Sequence, residues 1–341
     1  MTGKQLSGSK ILITDYIWPD LNVEQEIMGN LGAEVVAAPD GDEKTLADLA
    51  RDADAIITCF AMVTENVLRT ATKCLMVSRY GVGVDNIDVD TATELGMVVA
   101  YVPDYCTDEV SDHTMALLLA LNRRILPFDR FARTEGWGTL PLTLPVLRLR
   151  GKVLGLVGMG RIGREVCRKA QTFGMKVLAW DPYLSPEQFA AAGVESASFE
   201  SMLKEADFVS VHAPLNSETK GIISAREFGL MKPTAYIINC ARGPVVDEAA
   251  LINALHEKEI AGAGLDVLES PHPSPDNPLF TMDNVIITPH AAFFSQESFI
   301  ELRTRASQAV VDVLSGRTPG NVANPQVFPN TKAKFSDKSL K

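Results

Sequence analysis

Cysteine, positive charge and long apolar runs are all scarce in this sequence. Its five cysteines lie apart, with neither a C-x-x-C pair nor the Cys/His spacing of a zinc site. We therefore expect reduced thiols, no disulfide framework and no bound metal, as is typical of an intracellular protein. The five residues are Cys59, Cys74, Cys106, Cys167 and Cys240.

The charge balance and the shortness of the apolar runs exclude further classes of protein. Lys and Arg number 32 against 43 Asp and Glu, and the net charge of −11 argues against sequence-independent nucleic-acid binding and against anionic membrane surfaces. The longest apolar runs, such as residues 115–121, are too short to span a bilayer, and residues 1–10 lack an apolar signal segment. We expect a cytoplasmic protein that binds neither membrane nor nucleic acid.

The chain length and the order of its apolar runs predict two α/β domains. The 341 residues with 46% hydrophobic content suffice for two cores. Short β-type runs alternate with helical spacing over residues 10–103, and the alternation resumes at Gly151. We predict two doubly wound parallel sheets, a buried helix from Thr107 to Arg123 or Arg124 between the halves, and a last helix over 296–314. The end at 331–341, with four lysines, is expected to be mobile.

Residues 151–181 hold the most specific functional motif. An apolar run leads to Gly158, Gly160 and Gly163, and an amphipathic helix and a second β-type run follow. In this G-x-G-x-x-G pattern the first glycine permits a tight turn, the second lets the backbone approach a pyrophosphate, and the third lets the helix pack closely. Asp181 ends the second run about 20 residues later, where a carboxylate accepts the ribose hydroxyls and repels a 2′-phosphate. The motif predicts dinucleotide binding, with NAD favoured over NADP.

Two residues that follow separate β-type runs suit redox chemistry on a hydroxy acid. Hydride transfer to a nicotinamide requires a base for the hydroxyl proton and a cation for the carboxylate and the carbonyl oxygen. Arg242 follows the run ending at Asn239, and His290 follows residues 285–288. Parallel strands place their carboxyl ends at one edge of the sheet, so we expect both side chains there. Taken singly, Arg242 is also interpretable as a surface ion-pair member and His290 as a capping residue.

Three further positions are ambiguous from the residues alone. The loop 78–85 follows a β-type run and holds two glycines, which indicates either a ligand loop or, as favoured at this point, an ordinary βα turn. His212 ends another run and is expected to line the cofactor cleft. Asp112 and His113 are neighbours on a predicted helix and therefore do not face each other, so we expect a structural polar network there.

Six motifs occur in order along the chain. They are RYGVGVDNID at 79–88, GMGRIG at 158–163, HAPL at 212–215, NCARG at 239–243, GLDV at 264–267 and TPH at 288–290. Together they resemble the D-isomer-specific 2-hydroxyacid dehydrogenase family, over roughly residues 10–325. The segments at 102–110 and 290–293 are similar to the branch that includes C-terminal binding protein, a dehydrogenase-like NAD-sensing corepressor.

The resemblance implies an architecture, a cofactor and a substrate. It implies a flavodoxin-like substrate-binding domain from residues 1–103 and 296–330, a Rossmann NAD-binding domain from 104–295, and a cleft between them. It further implies NAD (NADH) as cofactor, a small 2-hydroxy or 2-oxo acid as substrate, and homodimers formed through the NAD domain.

The resemblance also implies roles for individual residues. Arg242 would hold the substrate carboxylate and carbonyl, and His290 would be the general acid or base. Backbone N–H groups around Val82 and Gly83 would grip the carboxylate, while Tyr80 and Phe293 are candidates for apolar walls. Cofactor contacts are implied for Val82, Gly158, Gly160, Arg161, Ile162, Gly163, Asp181, His212, Ala213, Pro214, Cys240, Ala241, Arg242, Asp266 and His290.

One position departs from the family pattern. Members usually carry a glutamate five residues after the aspartate matched to Asp266, where it pairs with the histidine and raises its pKa. Here that position is Pro271, whose side chain can neither accept the imidazole proton nor fix its tautomer. Glu269 would replace the acid only in a rearranged loop. Without the acid, His290 would hold its proton less well, which would slow reduction or shift its pH optimum downward.

Two classes of function follow from these observations. The first is an NAD-dependent oxidoreductase that interconverts a small D-2-hydroxy acid and its 2-oxo acid. The second, motivated by Pro271 and the branch resemblance, is an NAD(H)-sensing binding protein of corepressor type with weak or vestigial catalysis. A third possibility is a different NAD-dependent reaction on a carboxylate substrate.

Overall fold

The computed structural model describes residues 5–138 and 146–336, which fold as two compact units. One unit comprises the described parts of Met1–Tyr105 and Ser295–Lys341, and the other is formed by those of Cys106–Phe294. The first unit is therefore discontinuous in sequence, because the chain leaves it after Tyr105 and returns at Ser295. Each unit has its own buried apolar core and its own parallel sheet.

The first unit is built on five parallel strands. They are β1 (Lys10–Ile13), β2 (Glu34–Ala37), β3 (Ala55–Thr58), β4 (Met76–Arg79) and β5 (Val98–Ala100). Its helices are α1 (Asn22–Glu24), a π-helix (Gln25–Gly29), α2 (Glu43–Ala50), α3 (Glu65–Thr70), α4 (Val89–Glu94), α12 (Gln296–Leu314) and a 3₁₀ helix (Pro325–Asn330). The strand order β2-β1-β3-β4-β5 is the flavodoxin-like order. Strands β3, β4 and β5 are buried along their whole length, as expected for a parallel sheet covered on both faces.

The second unit is built on seven parallel strands. They are β6 (Val153–Val157), β7 (Lys176–Trp180), β8 (Glu195–Ser196), β9 (Phe208–Val211), β10 (Tyr236–Asn239), β11 (Gly262–Leu265) and β12 (Val285–Ile287). Its helices are α5 (Thr107–Arg123), α6 (Ile125–Thr134), α7 (Arg161–Thr172), α8 (Pro186–Ala191), α9 (Phe199–Glu205), α10 (Ala225–Phe228), α11 (Glu248–His256) and two 3₁₀ helices (Gly243–Val245 and Pro278–Thr281). The order β8-β7-β6-β9-β10-β11-β12 is that of a Rossmann sheet with one additional strand.

The two sheets confirm the predicted fold class of two doubly wound parallel-sheet domains, flavodoxin-like and Rossmann. The helix predicted from Thr107 is α5, which ends where Arg124 takes a left-handed φ of +53°. Within its own unit α5 packs on β10, β11 and α7, and Gly264 of β11 leaves room for Leu117 of the helix. The helix predicted over 296–314 is α12.

The end of the described chain is attached to the first unit. The backbone N–H of Lys332 donates to the carbonyl of Gly96 at 2.9 Å, and that of Ser336 donates to the carbonyl of Gly316 at 2.8 Å. Residues 331–336 of the predicted mobile tail are thus hydrogen-bonded to the fold, and residues 337–341 lie outside the described residues.

Candidate active site

The glycine turn after β6 is dictated largely by packing within the protein. Gly158 has a left-handed φ of +97°, and a Cβ there would lie 3.0 Å from the carbonyl carbon of His212. A Cβ on Gly163 would overlap the carbonyl oxygen of Gly158. Two of the three fingerprint glycines are therefore required for the turn to close against α7 and the end of β9.

Gly160 is exceptional, because its missing side chain leaves space outside the protein. A Cβ at this position would meet no atom of the described chain within 4 Å. Gly160 is also the N-cap of α7, so the first N–H groups of a twelve-residue helix point toward this space. Free N–H groups and the positive end of the helix dipole suit an anion there, as a pyrophosphate requires.

Asp181 is fixed beside this turn, just past β7. One carboxylate oxygen accepts the backbone N–H of Met159 at 2.9 Å, and the other accepts that of Tyr183 at 3.0 Å. Each carboxylate oxygen has more than one lone pair, so both can still accept ribose hydroxyls. The open space at Gly160 and the anchored acid fit NAD(H), as the sequence predicted.

The loop after β9 borders the turn on its other side. The backbone N–H of His212 donates to the carbonyl of Val157 at 2.8 Å, and its ring Nε2 lies 2.9 Å from the hydroxyl of Ser210. Burial lowers the pKa of His212 to about 4, so the ring is neutral near pH 7. Ala213 and Pro214 continue this loop beside Gly158.

Arg242 lies in a tightly braced loop after β10. The side chain of Asn239 donates to the carbonyl of Arg242 and accepts the N–H of Ala241, each at 3.0 Å. A Cβ on Gly243 would overlap the carbonyl of Leu268, so this loop packs directly against the chain that follows β11. The backbone of Arg242 is therefore fixed on one side by the Asn239 side chain and on the other by the packing of Gly243 against Leu268. Burial raises the pKa of the neighbouring Cys240 thiol to about 12, which excludes a thiolate nucleophile at neutral pH.

His290 lies in a loop organised by the buried carboxylate of Asp266. Asp266 follows β11 and is 1% exposed. Its two carboxylate oxygens accept the N–H groups of Ala291 at 2.8 Å and of Ala292 at 2.9 Å. Its backbone carbonyl accepts the N–H of His290 at 2.8 Å. His290 itself has a φ of +54°, which is uncommon for a residue with a side chain and marks a strained turn.

Arg242, Asp266 and His290 leave the same edge of the sheet. They follow β10, β11 and β12, which are adjacent, parallel and paired in register. Phe293 places its ring edge-on to the imidazole of His290, with centroids 5.6 Å apart. Arg242 and His290 thus follow β10 and β12 of one sheet, and Asp266 follows the strand between them.

The position of the absent glutamate lies in an exposed loop. Pro271 and Glu269 are both exposed. Glu248, at the start of α11, accepts the backbone N–H of Glu269 at 2.8 Å and the side-chain amide of Asn277 at 2.7 Å. Sequence analysis did not single out Glu248, although it holds both ends of this loop.

The predicted substrate residues of the first unit have different environments. Tyr80 is 1% exposed, and its hydroxyl donates to the buried carboxylate of Glu24 at 3.0 Å. Glu24 also pairs with Arg303 at 2.7 Å. The Tyr80 side chain therefore packs inside the unit rather than forming an exposed apolar wall. Val82, by contrast, is 38% exposed and Gly83 is half-buried in the loop after β4.

Asp112 and His113 do make polar contacts, but with separate partners. Asp112 pairs with Lys169 of α7 at 2.7 Å. His113 points the other way, with Nε2 2.9 Å from the hydroxyl of Thr288. Thr288 in turn donates to Asp266 at 2.5 Å. No local pattern indicates this connection, because it joins residues far apart along the chain.

The parallel sheet and its glycine turn are those of a dinucleotide-binding protein, and comparison with known proteins shows the family. The D-isomer specific 2-hydroxyacid dehydrogenase NAD-binding domain matches residues 115–292. Glyoxylate reductase of Thermococcus litoralis is 39% identical over 292 residues, which are 84% of this chain and 88% of the reductase. D-3-phosphoglycerate dehydrogenase of Methanocaldococcus jannaschii is 38% identical over 95% of this chain, which spans 61% of that protein.

A solved structure is similar over both units. D-lactate dehydrogenase from Aquifex aeolicus, complexed with NAD and lactic acid, has a TM-score of 0.84 and 29% identity, and covers 92% of this chain and 99% of its own. The chain belongs to the D-isomer-specific 2-hydroxyacid dehydrogenase family. It is an NAD-dependent enzyme of that family, and NAD(H) is its cofactor.

The named relatives are reductases and dehydrogenases, and assignment to the branch of C-terminal binding protein stays a prediction. Across residues 5–138 and 146–336, no helix is long and apolar enough to cross a membrane. Within the same residues, no group of three or more His, Cys, Asp or Glu side chains is arranged to hold a metal ion. The cytoplasmic location stays a prediction.

Two glycine substitutions separate cofactor binding from packing. Gly160→Ala should leave the fold intact, because its Cβ meets open space, and should weaken NADH binding at least about tenfold by occupying the place of the pyrophosphate. Gly163→Ala should destabilise the protein by about 1–3 kcal/mol, because its Cβ meets the backbone of Gly158. Fluorescence titration with NADH and denaturant unfolding measure the two effects. Full NADH affinity in Gly160→Ala would contradict the assignment.

His212 gives a prediction of pH dependence. Its pKa is about 4 in the folded chain, whereas a histidine in an unfolded chain has a pKa of about 6.5. As the pH falls, the unfolded chain binds this proton first, so the group lowers the free energy of unfolding by about 2 kcal/mol between pH 7 and pH 5. His212→Asn should lack that part of the decrease in denaturant titrations at the two pH values. The same pH dependence in both proteins would show that His212 is not held neutral.

Proposed function

We propose that this protein interconverts a small D-2-hydroxy acid and its 2-oxo acid, using Arg242 and His290. The observation that carries the proposal is their placement after β10 and β12 of the sheet whose fingerprint binds the cofactor. Family membership supports the reaction type. The names of the relatives refer to different acids, so the panel of 2-oxo acids below is chosen to identify the side chain of the substrate.

The roles of the two residues follow from their chemistry. NAD(H), when bound, supplies or accepts the hydride at the substrate carbon. The planar guanidinium of Arg242 binds the substrate carboxylate in bidentate fashion and polarises the carbonyl oxygen. The imidazole of His290 gives a proton to that oxygen during reduction and removes it during oxidation. Because hydrogen bonds and packing already fix the backbone of Arg242 and of His290, less conformational entropy is lost when the two side chains reach the reactive geometry.

The remaining predicted contacts complete the proposal. Cofactor contacts come from the fingerprint residues Gly158 to Gly163, from Asp181, and from the loops that begin at His212 and Cys240. Val82 and Gly83 contribute backbone N–H groups to the substrate carboxylate, and Phe293 contributes an apolar wall beside His290. The part assigned to Tyr80 is restricted to its backbone, because its side chain is buried against Glu24.

The alternative is a binding protein that senses NAD(H) and turns over slowly or not at all. The observation that favours it is Pro271, at the position where the family usually has an acid. In that case NADH would bind tightly, and no 2-oxo acid would be reduced.

Catalysis is tested by substitution at the two proposed catalytic residues. Wild type should oxidise NADH with at least one acid among glyoxylate, hydroxypyruvate and phenylpyruvate. His290→Asn should lower kcat about 10²–10⁴-fold, because the group that transfers the proton is lost. Arg242→Lys should raise KM for the acid and lower kcat, because an ammonium cannot form the bidentate contact.

The control for these variants is His256→Asn, at an exposed histidine that contacts Glu257 at the end of α11. It should match the wild type. Unchanged turnover in His290→Asn would refute the assigned acid or base. Tight NADH binding by the wild type, without turnover of any of the three acids, would favour the sensing alternative.

We further propose that the second unit forms homodimers through α6. All ten residues of α6 are partly or fully exposed in the described chain, and Ile125 and Leu126 are 54% and 51% exposed. An apolar side of this kind suits a second copy of the same helix, since symmetric contacts bring like surfaces together.

Sedimentation velocity tests the dimer. Leu126→Asp should convert dimers to monomers, because it places a charge in the apolar contact. Phe173→Asp, at a comparably exposed aromatic residue next to the end of α7, should leave the dimer intact. A monomeric wild type, or a dimeric Leu126→Asp variant, would contradict an interface at α6.

A further inference from the structure

A partly buried chain of hydrogen bonds, which ends at the buried Asp266, joins α5 to the loop that carries His290. His113 of α5 lies with Nε2 2.9 Å from the hydroxyl oxygen of Thr288. Thr288 follows β12, and its hydroxyl lies 2.5 Å from Oδ1 of Asp266. His113 Nε2 is 3.6 Å from the same oxygen, too far for a direct hydrogen bond. Thr288 therefore bridges the imidazole and the carboxylate.

The direction of each hydrogen bond follows from the donors available. An ionised carboxylate only accepts, so the single hydroxyl proton of Thr288 points to Asp266. The oxygen of Thr288 must then accept from His113, which requires a proton on Nε2. That arrangement holds for the neutral Nε2–H tautomer and for the charged ring alike. The order of donation is thus His113 to Thr288 to Asp266.

The end of this chain is the group that shapes the turn at His290. Asp266 accepts N–H groups from three consecutive residues, one through its carbonyl and two through its carboxylate. The left-handed φ of His290, +54°, is disfavoured by itself and persists because these bonds hold it. A carboxylate free to rotate could not keep both Ala291 and Ala292 in place.

We infer that His113 and Thr288 are positioning residues for His290. Their hydrogen bonds fix the carboxylate of Asp266, and Asp266 holds the strained turn that presents the imidazole. Neither side chain is required to touch substrate or cofactor. The inference deepens the proposed function, and it rests on that function only where it concerns turnover.

Substitutions at Thr288 test the bridge with little change of shape. Thr288→Val removes the hydroxyl and keeps the volume, whereas Thr288→Ser keeps the hydroxyl. We expect Thr288→Val to lower kcat at least about tenfold, since small displacements of a reacting group have effects of this order. Thr288→Ser should restore most of the rate.

Substitutions at His113 test the first donor. His113→Gln retains an amide donor near the position of Nε2, and His113→Phe retains only the ring shape. His113→Phe should lower kcat as Thr288→Val does, and His113→Gln should recover activity. If the two residues act in series, the double variant His113→Phe/Thr288→Val should be close to the worse single variant. A multiplicative loss would overturn the chain.

A matched control and a second readout keep the outcomes distinct. Asp112→Asn alters the neighbouring residue of α5, whose partner is Lys169, and should change neither measurement. Amide hydrogen exchange at Ala291 and Ala292 should become at least about tenfold faster in Thr288→Val and His113→Phe, and remain slow in Thr288→Ser and His113→Gln.

Amide exchange tests whether Thr288 and His113 hold the turn, and turnover tests the proposed reaction. Unchanged exchange in Thr288→Val would overturn the inference even if the enzyme is active. A wild type without turnover would overturn the proposed function, while faster exchange in Thr288→Val would still show that the bridge holds the turn.

Discussion

The geometry of the candidate active site depends on one buried carboxylate, that of Asp266. An ionised group at 1% exposure is strongly unfavourable unless donors replace its water. The donors come from Thr288, Ala291 and Ala292, so the chain after β12 has to wrap around the charge. The left-handed backbone of His290 is therefore a consequence of satisfying a neighbouring charge, not a preference of histidine. The backbone strain at His290 is offset by the hydrogen bonds that replace the lost hydration of the Asp266 carboxylate.

The cofactor loop is constrained in a different way, by the absence of side chains. Gly158 and Gly163 are needed because protein atoms fill the positions where their Cβ atoms would lie. Gly160 faces open space, so no packing contact of the described chain requires a glycine there. The glycine turn lies after β6, beside the point where the strand order reverses toward β9, which is where open α/β sheets bind ligands. Packing fixes the turn, and the fixed turn leaves room for a pyrophosphate.

Local patterns predicted much of the fold and of the cofactor site, because these depend on short stretches of chain. The fingerprint, Asp181 and the alternation of strands and helices can be recognised within tens of residues, and strand order then places Arg242 and His290 at one edge. Contacts between distant residues could not be predicted. The contact between His113 and Thr288 spans 175 residues, and the contact between Glu24 and Arg303 spans 279. The hydroxyl of Tyr80 donates to the same Glu24, so the environment of this buried side chain also depends on residues far away along the chain.

Pro271 lies in a loop that is held by contacts of other residues. The loop after Asp266 is held by Glu248, which accepts the backbone N–H of Glu269 and the side-chain amide of Asn277. The carbonyl of Leu268 lies where a Cβ on Gly243 would be. These contacts use no side-chain atom of residue 271. The loops that carry Arg242 and Asp266 are thus braced against each other whether that residue is an acid or a proline. In this fold the contacts that hold these two loops are therefore independent of the side chain at position 271.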